Sequence, residues 1–563
     1  MAPEETRSER ATNGFRLGID VGGTNTDAVI LDASDQVIAS TKSPTTADVT
    51  SGIVNALQAV QTASGLPSTA IRYAMLGTTH CTNAIVTRRG LSPVGVIRLG
   101  APATLSVEPL LTWPSDLRQV VCAQAFILRG GHEYNGEPLA ALDPQEIRKA
   151  AQQMKDQVRA VAITGVFSPV NPEHELRARD LLREELGDDM PVSLSSEIGS
   201  VSLLERENAT VLNAALIAVA RTAIEGFAQA IRQLQIPAVL FLGQNDGSLM
   251  AVDYALQYPI FTIASGPANS IRGAAYLSQL RDAIVIDIGG TTTDIGILQK
   301  GFPRESALAV EIGGVRTNFR MPDLMSIGLG GGSRVHVLRQ AQHERFSSEA
   351  VHTDPVTLSP STTPRTGLSK GDPGEIHVGP DSVGYRLTEE ALVFGGQQLT
   401  ATDLAVAAGR IQLGDPRRVQ SLPVTLVEAS LAYIGRSLED SIDRMKLSAD
   451  PVPVVAVGGG SILFPEQLRG VSEIIRPAHY EVANAIGVAI AQVSGTIDRV
   501  FALDTMSRTQ ALDEAARLAR ERACAAGADP ESVEIFDLEE IPLAYLPGNA
   551  VRIKAKAAGA LRL

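Results

Sequence analysis

The sequence predicts an α/β protein built from two related domains, followed by a small α+β unit at the C-terminus. The first basis is a repeat, because RLGIDVGGTNTDAVILD at residues 16–32 recurs as AIVIDIGGTTTDIGILQKG at 283–301. The second basis is residues 142–198, where helical and strand patterns alternate as in a parallel or mixed sheet covered by helices. One motif written twice in such a chain indicates two domains of one architecture.

Each copy of the repeat predicts a β-hairpin. An apolar run of strand length ends in Asp20 or Asp287, passes through Gly-Gly-Thr, and resumes after Asp27 or Asp294. Glycines at such a turn let the backbone approach a bound group and aim N–H donors at it, and neighbouring hydroxyls add donors. The candidate phosphate-binding residues are Gly22, Gly23, Thr24, Asn25 and Thr26 in the first hairpin and Gly289, Gly290, Thr291, Thr292 and Thr293 in the second.

The carboxylates of the two hairpins predict a cation. A carboxylate that faces a phosphate needs a cation between them, and Mg²⁺ commonly reaches a protein through one or two carboxylates and several waters. Asp20 and Asp287 are therefore predicted to hold the Mg²⁺ of a nucleotide, mainly through water, and Asp20, Asp287 and Asp294 are the candidate catalytic carboxylates. For one hairpin alone, glycines that only make the turn remain an equal alternative.

A third glycine-rich element is the stretch PVVAVGGGSILFP at 453–465. It predicts a strand followed by Gly458, Gly459, Gly460 and Ser461, leading into a helix, an arrangement that lets an adenosine pack on backbone. The stretch contains neither a dinucleotide fingerprint nor a P-loop. Asn484, in the later segment HYEVANAIGVAI, is assigned to the same nucleotide site.

Two hairpins and an adenosine loop in this order resemble the actin, sugar-kinase and heat-shock-ATPase superfamily. That resemblance implies two ribonuclease-H-like (actin-like ATPase) domains that close around ATP in a cleft between them. The resemblance also implies ATP and Mg²⁺ as the cofactors of this chain.

A strand-to-helix turn within IRYAMLGTTHCTNAIVTRRG at 71–90 predicts a place for an uncharged, hydrogen-bonding ligand. The candidate substrate residues are Thr78, Thr79, His80 and Asn83 on this side and Ser265 and Gly266 on the other. The alternative is helix capping by Thr78 or Thr79, with His80 exposed.

Several spaced motifs resemble one family within that superfamily, the hydantoinase A and 5-oxoprolinase family. They are GTTxxTNAxxxRRG after DVGGTNTD, then SGPANSIRGAAYLSQLRDAIVIDIGGTTTDIG, MPDLMSIGLGGGSRV, FGGQQLTATD and HYEVANAIGVAI, spread over about residues 15–495. The resemblance implies that ATP phosphorylates an amide or carbonyl oxygen of a cyclic amide, such as a hydantoin, oxoproline or lactam, before ring opening. The family also includes subunits of ATP-dependent ketone carboxylases.

A separate partner subunit is expected, because no Ser-His-Asp or Cys-His set is visible and the chain ends without a recognisable second-subunit domain. The segment LSPVGVIRLGAPATLSVEPLLTWPSDLR after Gly90 departs from the family pattern, which predicts a substrate pocket unlike the hydantoin or oxoproline one. The alternatives left open are a small-molecule kinase of the same superfamily, the ATP-binding subunit of a ketone carboxylase, a radical-enzyme activator, and a polymer-forming or chaperone ATPase.

The predicted organisation has four parts with a hinge near 200–210. The C-terminal part is expected to contain a helix at about 508–526 and strands at about 533–540 and 550–557. The parts are a disordered tail at 1–14, an N-terminal domain at 15–203, a second domain at 204–498 with an irregular insertion at about 340–380, and a small unit at 499–563.

Composition argues against several classes of function. A net charge of −14 over 563 residues, without a basic stripe, argues against nucleic acid as a partner. The three cysteines lack metal or cluster spacing, and no apolar h-region or membrane-length run is evident, so we expect no membrane association and a cytoplasmic location. The scattered histidines at 336, 343, 352 and 377 predict no dedicated metal site. A homo-oligomer is compatible with the sequence.

Overall fold

The computed structural model describes residues 14–45, 49–199, 201–306, 310–319, 321–338, 375–504, 506–543 and 549–562. Two predictions fall outside these residues: the disordered tail, apart from Gly14, and the irregular insertion from 340 to 374. His343 and His352 lie outside them as well. The last part of the predicted insertion is regular, because Glu375–Ser382 forms a strand.

The first half of the chain alternates strands and helices, as the sequence predicts. Its elements are β1 (Phe15–Val21), β2 (Asn25–Leu31), β3 (Val37–Pro44), α1 (Val49–Ser64), β4 (Ile71–Thr78), α2 (His80–Thr87), β5 (Val94–Ala101), α3 (Ser115–Val121), β6 (Cys122–Arg129), α4 (Pro144–Met154), β7 (Ala160–Gly165), α5 (Glu173–Leu186), β8 (Val192–Leu194), α6 (Ser195–Ile198), α7 (Leu203–Gln233), β9 (Val239–Gly243), β10 (Leu249–Ala251), α8 (Val252–Gln257) and α9 (Ser265–Ser278).

The second half begins with the repeated hairpin and ends in two long strands. Its elements are β11 (Ala283–Ile288), β12 (Thr293–Gln299), β13 (Phe302–Pro303), β14 (Val310–Ile312), β15 (Val315–Thr317), β16 (Leu324–Ile327), β17 (Ser333–Leu338), β18 (Glu375–Ser382), α10 (Leu387–Glu390), α11 (Ala401–Ala407), α12 (Val424–Met445), β19 (Val452–Val457), β20 (Val471–Ile475), α13 (Ala483–Ala489), β21 (Val493–Ala502), α14 (Arg508–Ala525), β22 (Glu534–Pro542) and β23 (Ala550–Gly559).

The largest sheet has the strand order β22-β23-β21-β10-β9-β4-β1-β2-β3. The strands β1, β4 and β9 run parallel at its centre, and they read as near-continuous apolar runs because helices cover both faces. β1 turns directly into the antiparallel β2, which places Asp20 opposite Asp27. The first predicted hairpin is therefore confirmed.

The second sheet repeats this arrangement. Its order is β13-β12-β11-β19-β20, and β16 pairs with β12. β11 and β12 form an antiparallel hairpin with Asp287 opposite Asp294, and β11 runs parallel to β19, the strand before the adenosine loop. The register of the two hairpins is the same, as the repeated sequence predicts. A third, all-parallel sheet, β6-β5-β7-β8, lies within residues 94–194.

The division of the sheets differs from the predicted domain boundaries. Strands β9, β10 and β21, which fall in the predicted second domain, are hydrogen-bonded within the large sheet. The predicted C-terminal helix and two strands are present, but β22 and β23 form the edge of the same sheet through β21. Because strand order depends on contacts distant in sequence, a division drawn along the chain could not show this exchange.

Helix α7 is longer than any other helix of the described residues, at 31 residues. By length and composition alone this helix could span a membrane, but half of its apolar window is buried inside the protein, as in the core helix of a globular protein. Glu207 on this helix holds Arg98 of β5 in a buried ion pair of 2.6 Å. The hinge predicted near 200–210 falls at the start of this helix and stays a prediction.

Candidate functional site

The two hairpin turns meet each other. Thr24 Oγ1 lies 3.3 Å from Thr291 Oγ1. A Cβ added to Gly290 would lie 2.5 Å from Thr24 Oγ1, so this contact needs glycine. Both turns close in the same way, with Gly22 N donating to Asn25 O at 3.0 Å and Gly289 N donating to Thr292 O at 2.9 Å. The structure therefore brings the two candidate phosphate-binding turns to one place.

The candidate phosphate-binding residues differ in exposure, with Gly22, Asn25, Gly289 and Gly290 half-buried and Thr24 buried. Gly23, Thr291 and Thr292 are exposed at the turns, where their donors are available to a ligand. Thr26 and Thr293, at equivalent positions on the second strands, are fully buried. Thr293 donates to Leu329 O at 2.6 Å and Thr26 lies 3.4 Å from Thr45 Oγ1. Because strand residues alternate between faces, these two hydroxyls hold the hairpins in place instead of facing the turn.

Asp20 is a buried carboxylate with an unsatisfied oxygen. Only 4% of the residue is exposed, and Asn484 Nδ2 donates to its Oδ2 at 2.8 Å. Its Oδ1 is buried without a hydrogen-bond partner. Burial, with Asp27 and Asp287 nearby, raises the pKa of Asp20 to about 7. A buried acceptor of this kind is rare and costs free energy unless a ligand satisfies it.

Asn484, predicted to contact the nucleotide, is hydrogen-bonded to Asp20, and its contact with a nucleotide stays a prediction. Its Oδ1 accepts from Ala485 N at 2.9 Å, which orients the amide so that Nδ2 points at Asp20. Asn484 lies in the first turn of α13, which packs against β1. The contact therefore joins a late segment of the chain to the first hairpin.

Asp287 and Asp294 occupy the second hairpin. Ser270 Oγ donates to Asp287 Oδ2 at 2.5 Å, and Ser326 donates to Asp294. Burial raises the pKa of Asp287, and burial raises the pKa of Asp294 to about 6, with the charge of Asp287 adding to the effect. Both acids of this hairpin are thus shifted in the same direction as Asp20.

Helix α9 connects the two carboxylates through consecutive residues. Ser270 contacts Asp287, and Asn269 lies beside Asp20, since a Cβ added to Gly77 would be 2.3 Å from Asp20 Oδ1 and 2.8 Å from Asn269 Nδ2. Asn269 is fully buried and neither of its side-chain polar atoms has a hydrogen-bond partner. One helix therefore lies beside both Asp20 and Asp287, and the side-chain polar atoms of Asn269 are unsatisfied there.

The adenosine loop approaches the second hairpin from β19. Gly458 has a φ of +83°, and a Cβ there would lie 2.0 Å from Asp287 Oδ1. Gly459 is exposed, whereas Gly460 and Ser461 are buried, and Ser461 Oγ donates to Val457 O at 2.5 Å. The predicted helix after the loop is a single 3-10 turn, Gly459–Leu463. Of the four residues, Gly459 offers its backbone to solvent.

The candidate substrate residues gather around the end of β4. Ser265 Oγ donates to Thr78 O at 3.2 Å, and a Cβ on Gly266 would lie 3.8 Å from Thr79 Cγ2 and 4.0 Å from Asp20 Oδ1. Thr78 Oγ1 contacts both N and Nδ1 of His80, and burial lowers the pKa of this half-buried histidine. Asn83 is exposed and donates to Thr79 Oγ1 at 3.3 Å. Both predicted sides of this pocket thus meet beside Asp20.

Sequence reasoning missed several residues of this site. Lys42 Nζ donates to both carboxylate oxygens of Asp27 at 2.6 Å, and its Cε would lie 3.3 Å from a Cβ on Gly459. The glycines 330–332 were noted as a motif but not placed here; Gly331 N donates to Gly289 O and Gly332 N to Gly290 O. A single lysine in a strand does not by itself indicate a functional site. The glycine run, in contrast, could have indicated a loop that contacts one of the hairpin turns.

The residues present fit a Mg²⁺ ion held mainly through water. Asp20 Oδ1 is an unsatisfied carboxylate oxygen, and Asp287 lies close enough to raise its pKa, an arrangement that a cation would relieve. Among the residues that the structure describes, no group of three or more His, Cys, Asp and Glu side chains forms a protein-only metal cage. His336 on β17 lies opposite His377 on β18 in the antiparallel pairing of these strands.

Subunits of two enzymes are similar to this chain. Caprolactamase subunit alpha of Pseudomonas jessenii is 28% identical over 71% of this chain and 55% of its own length. The beta subunit of acetone carboxylase from Xanthobacter autotrophicus is 22% identical over 76% of this chain and 59% of its own length. The chain thus spans less than two thirds of the length of either relative.

Solved structures of the same two enzymes share the fold. The ATP-dependent caprolactamase superimposes with a TM-score of 0.71 at 20% identity, over 97% of this chain and 88% of that chain. Nucleotide-free acetone carboxylase gives a TM-score of 0.68 at 17% identity, over 98% and 88%. The predicted α/β fold class is confirmed.

Family comparison agrees with the resemblance noted in the motifs. The hydantoinase/oxoprolinase N-terminal region matches residues 16–186, and the hydantoinase/oxoprolinase region matches residues 206–445. Together the two regions cover more than half of the chain and contain both hairpins. The chain belongs to the hydantoinase/oxoprolinase family.

Proposed function

We propose that this chain is the ATP-using subunit of a cyclic amidohydrolase. It would bind Mg²⁺-ATP between the two hairpin turns, phosphorylate the carbonyl oxygen of a cyclic amide, and pass the activated amide to a partner subunit for ring opening. The observation that carries the proposal is the meeting of both hairpins with Asp20 and Asp287, beside the pocket of Thr78, Thr79 and Ser265.

The reaction follows from the weak nucleophilicity of an amide oxygen. That oxygen attacks the γ-phosphorus and ADP leaves, which gives an O-phosphorylated amide. Water then adds to the carbonyl carbon and the C–N bond breaks, which leaves an acyl phosphate. A second water attacks the acyl carbon, the C–O bond breaks, and inorganic phosphate leaves. Phosphoryl transfer of this kind requires positioning and charge stabilisation more than covalent catalysis by the protein.

Different residues of the chain would have different roles in this reaction. Asp20 and Asp287 would hold Mg²⁺, which supplies positive charge to the phosphates. The exposed backbone of Gly23, Thr291 and Thr292 would donate to phosphate oxygens. The nitrogen Nδ1 of His80 is bonded to Thr78, which leaves Nε2 for the substrate. Lys42, held by Asp27, adds a cation between the first hairpin and the adenosine loop.

The proposal of a partner subunit is supported by two observations. No nucleophile–base pair for hydrolysis accompanies the described site residues, and the two named relatives are themselves subunits of larger enzymes. The second of them supports a ketone as an alternative substrate, since an enolisable carbonyl oxygen can accept phosphate in the same way.

A screen of ATP turnover tests the proposal. The chain, with and without the product of a neighbouring gene, is given hydantoins, lactams and ketones, and both phosphate and organic product are measured. We expect one cyclic amide to raise phosphate release and ring-opened product together when the partner is present. A phosphorylated substrate that persists would establish the kinase alternative, and ATP hydrolysis indifferent to every small molecule would establish the chaperone or polymer alternative.

A further inference from the structure

Asn269, in the first half of α9, is a buried amide whose hydrogen-bonding groups are unused. The residue is fully buried, and within the described part of the chain neither its Nδ2 nor its Oδ1 has a hydrogen-bond partner. A side-chain amide has two N–H donors and a carbonyl acceptor, and buried polar groups in folded proteins are nearly always paired. An amide left unpaired in this way indicates a side chain whose interaction is not with the fold itself.

The amide of Asn269 lies beside the unsatisfied oxygen of Asp20. A Cβ on Gly77 would lie 2.3 Å from Asp20 Oδ1 and 2.8 Å from Asn269 Nδ2, so both atoms lie next to this glycine. A Cβ on Gly243 would lie 3.1 Å from the same Nδ2. Gly77 and Gly243 lie near the ends of the neighbouring strands β4 and β9. Two glycines thus leave room for a donor next to an acceptor that lacks one.

The second oxygen of Asp20 already has an amide partner. Asn484 on α13 donates to Oδ2 of Asp20 at 2.8 Å. Helices α13 and α9 pack so closely that a Cβ on Gly487 would lie 1.9 Å from the carbonyl oxygen of Asn269. One tightly packed pair of helices therefore carries both asparagines, with Asn484 at Oδ2 and Asn269 on the side of Oδ1.

We propose that Asn269 is a positioning residue for Asp20 and donates to its Oδ1 when the carboxylate binds Mg²⁺-nucleotide. Asn484 and Asn269 then hold one oxygen each, which fixes the orientation of the carboxylate. A hydrogen bond to an ionised carboxylate is stronger than one between neutral groups, and hydrogen bonds to a metal-binding carboxylate orient it. The inference rests on the proposed Mg²⁺-nucleotide site and concerns how this chain holds Asp20.

A role of this kind separates cation binding from the stability of the free chain. A bond made only in the complex contributes to binding and not to the stability of the chain alone. Replacing an unpaired buried amide by an apolar side chain removes the cost of burying it, so Asn269→Ala should not lower the melting temperature of the free chain. A packing role predicts the opposite, because truncation of a side chain that fills the core lowers stability.

Binding of Mn²⁺ in the presence of saturating ADP tests this role in the full chain. Mn²⁺ replaces Mg²⁺ here because electron paramagnetic resonance measures the free ion, and neither substrate nor partner subunit is needed. We expect Asn269→Ala to weaken Mn²⁺ binding by about tenfold or more, with a melting temperature without metal and nucleotide no lower than that of wild type. Asn269→Ser, which keeps an O–H donor, should have an intermediate Mn²⁺ affinity.

Asn213 of α7 provides the matched control. It is also a fully buried asparagine on a helix, but its Nδ2 donates to Ser193 Oγ and Gln257 O at 3.0 Å each, and its Oδ1 accepts from Ile260 N at 3.2 Å. Asn213→Ala should therefore lower the melting temperature of the free chain, while its Mn²⁺ affinity stays within about twofold of wild type.

Wild-type Mn²⁺ affinity in Asn269→Ala would overturn the positioning role. A loss of stability in both Asn269 variants as large as that in Asn213→Ala would overturn it as well, because the amide would then serve the fold. Failure of the wild-type chain to bind Mn²⁺ with ADP would instead remove the proposed nucleotide site, and the role of Asn269 with it.

Discussion

Three carboxylates lie close together at the centre of the candidate site, with one ammonium group to balance them. Asp20, Asp27 and Asp287 all have raised pKa values, chiefly because burial disfavours their charged forms, and Lys42 is bonded to Asp27 alone. Such clusters of perturbed acids are typical of functional sites. The protein gives up stability here, and bound Mg²⁺-nucleotide would recover it.

This arrangement predicts how stability depends on pH. Asp20 has a pKa of about 7 in the folded chain and an ordinary value near 3.8 in the unfolded chain, so between these values only the folded chain keeps the proton. Raising the pH through this window therefore destabilises the fold. We expect wild type to lose on the order of 2–3 kcal/mol relative to Asp20→Asn between pH 5 and pH 8. Urea denaturation without Mg²⁺ or nucleotide measures this, and parallel pH profiles would refute it.

Substitution of Asp287 tests the proposed Mg²⁺ site. Asp287→Asn keeps the shape of the side chain and its contact with Ser270 but removes the negative charge. We expect ATP turnover to fall by about 100-fold, the size of effect seen when one preorganised electrostatic contact is lost. The exposed Asp450→Asn serves as the control. Near-normal turnover of a folded Asp287→Asn protein would remove this residue from the site.

At the scale of the element, the hairpins could be predicted because their signal is local. Each turn and its flanking strands lie within about 17 consecutive residues, and the repeat supports each prediction with the other. Lys42 and Asn269 could not be predicted, because they reach the site through β3 and α9, whose positions depend on contacts distant in sequence. The burial of Thr26 and Thr293 could not be predicted either, because the sequence does not show which face of the second strand points at the turn.

The adenosine loop offers a matched pair of glycine variants. A side chain at the exposed Gly459 would meet only the flexible Lys42, whereas one at Gly458 would collide with Asp287 at a backbone angle that favours glycine. We expect Gly459→Val to raise the nucleotide dissociation constant roughly tenfold, a change of about 1.4 kcal/mol, with little change in the melting temperature without nucleotide. Gly458→Ala should instead lower that melting temperature by several degrees.

Thermal unfolding and nucleotide titration of both variants separate the two roles. If Gly459→Val lost stability without losing nucleotide affinity, the loop would serve only the fold.

At the scale of the whole molecule, the fold class could be predicted from the sequence, whereas the strand order of the large sheet could not. The large sheet takes strands from both ends of the chain, so β21 and the C-terminal pair complete a sheet that begins with β1. The first hairpin therefore depends on residues near the C-terminus for its setting, as the bond from Asn484 to Asp20 also shows. Substitutions in the last strands should disturb nucleotide binding from a distance.

One such change is Arg552→Gln, which breaks the 2.6 Å pair with Asp498 across β21 and β23. The Asp498 side chain is largely buried, so its uncompensated charge should cost on the order of 1–3 kcal/mol of unfolding free energy. Chemical denaturation gives this value, and Arg417→Gln at an exposed pair should cost less than about 0.5 kcal/mol. Equal effects of the two variants would contradict the integration of the C-terminal strands into the large sheet.

The most direct test of the account follows one oxygen atom. A cyclic amide that supports turnover is prepared with ¹⁸O in its carbonyl group and given to the chain with its partner subunit and Mg²⁺-ATP. Phosphorylation of the amide oxygen predicts that the label appears in the released inorganic phosphate, because the C–O bond breaks after water has added to the carbon. Phosphate that carries no ¹⁸O, with the label retained in the ring-opened product, would contradict amide-oxygen activation followed by attack of water on the acyl carbon.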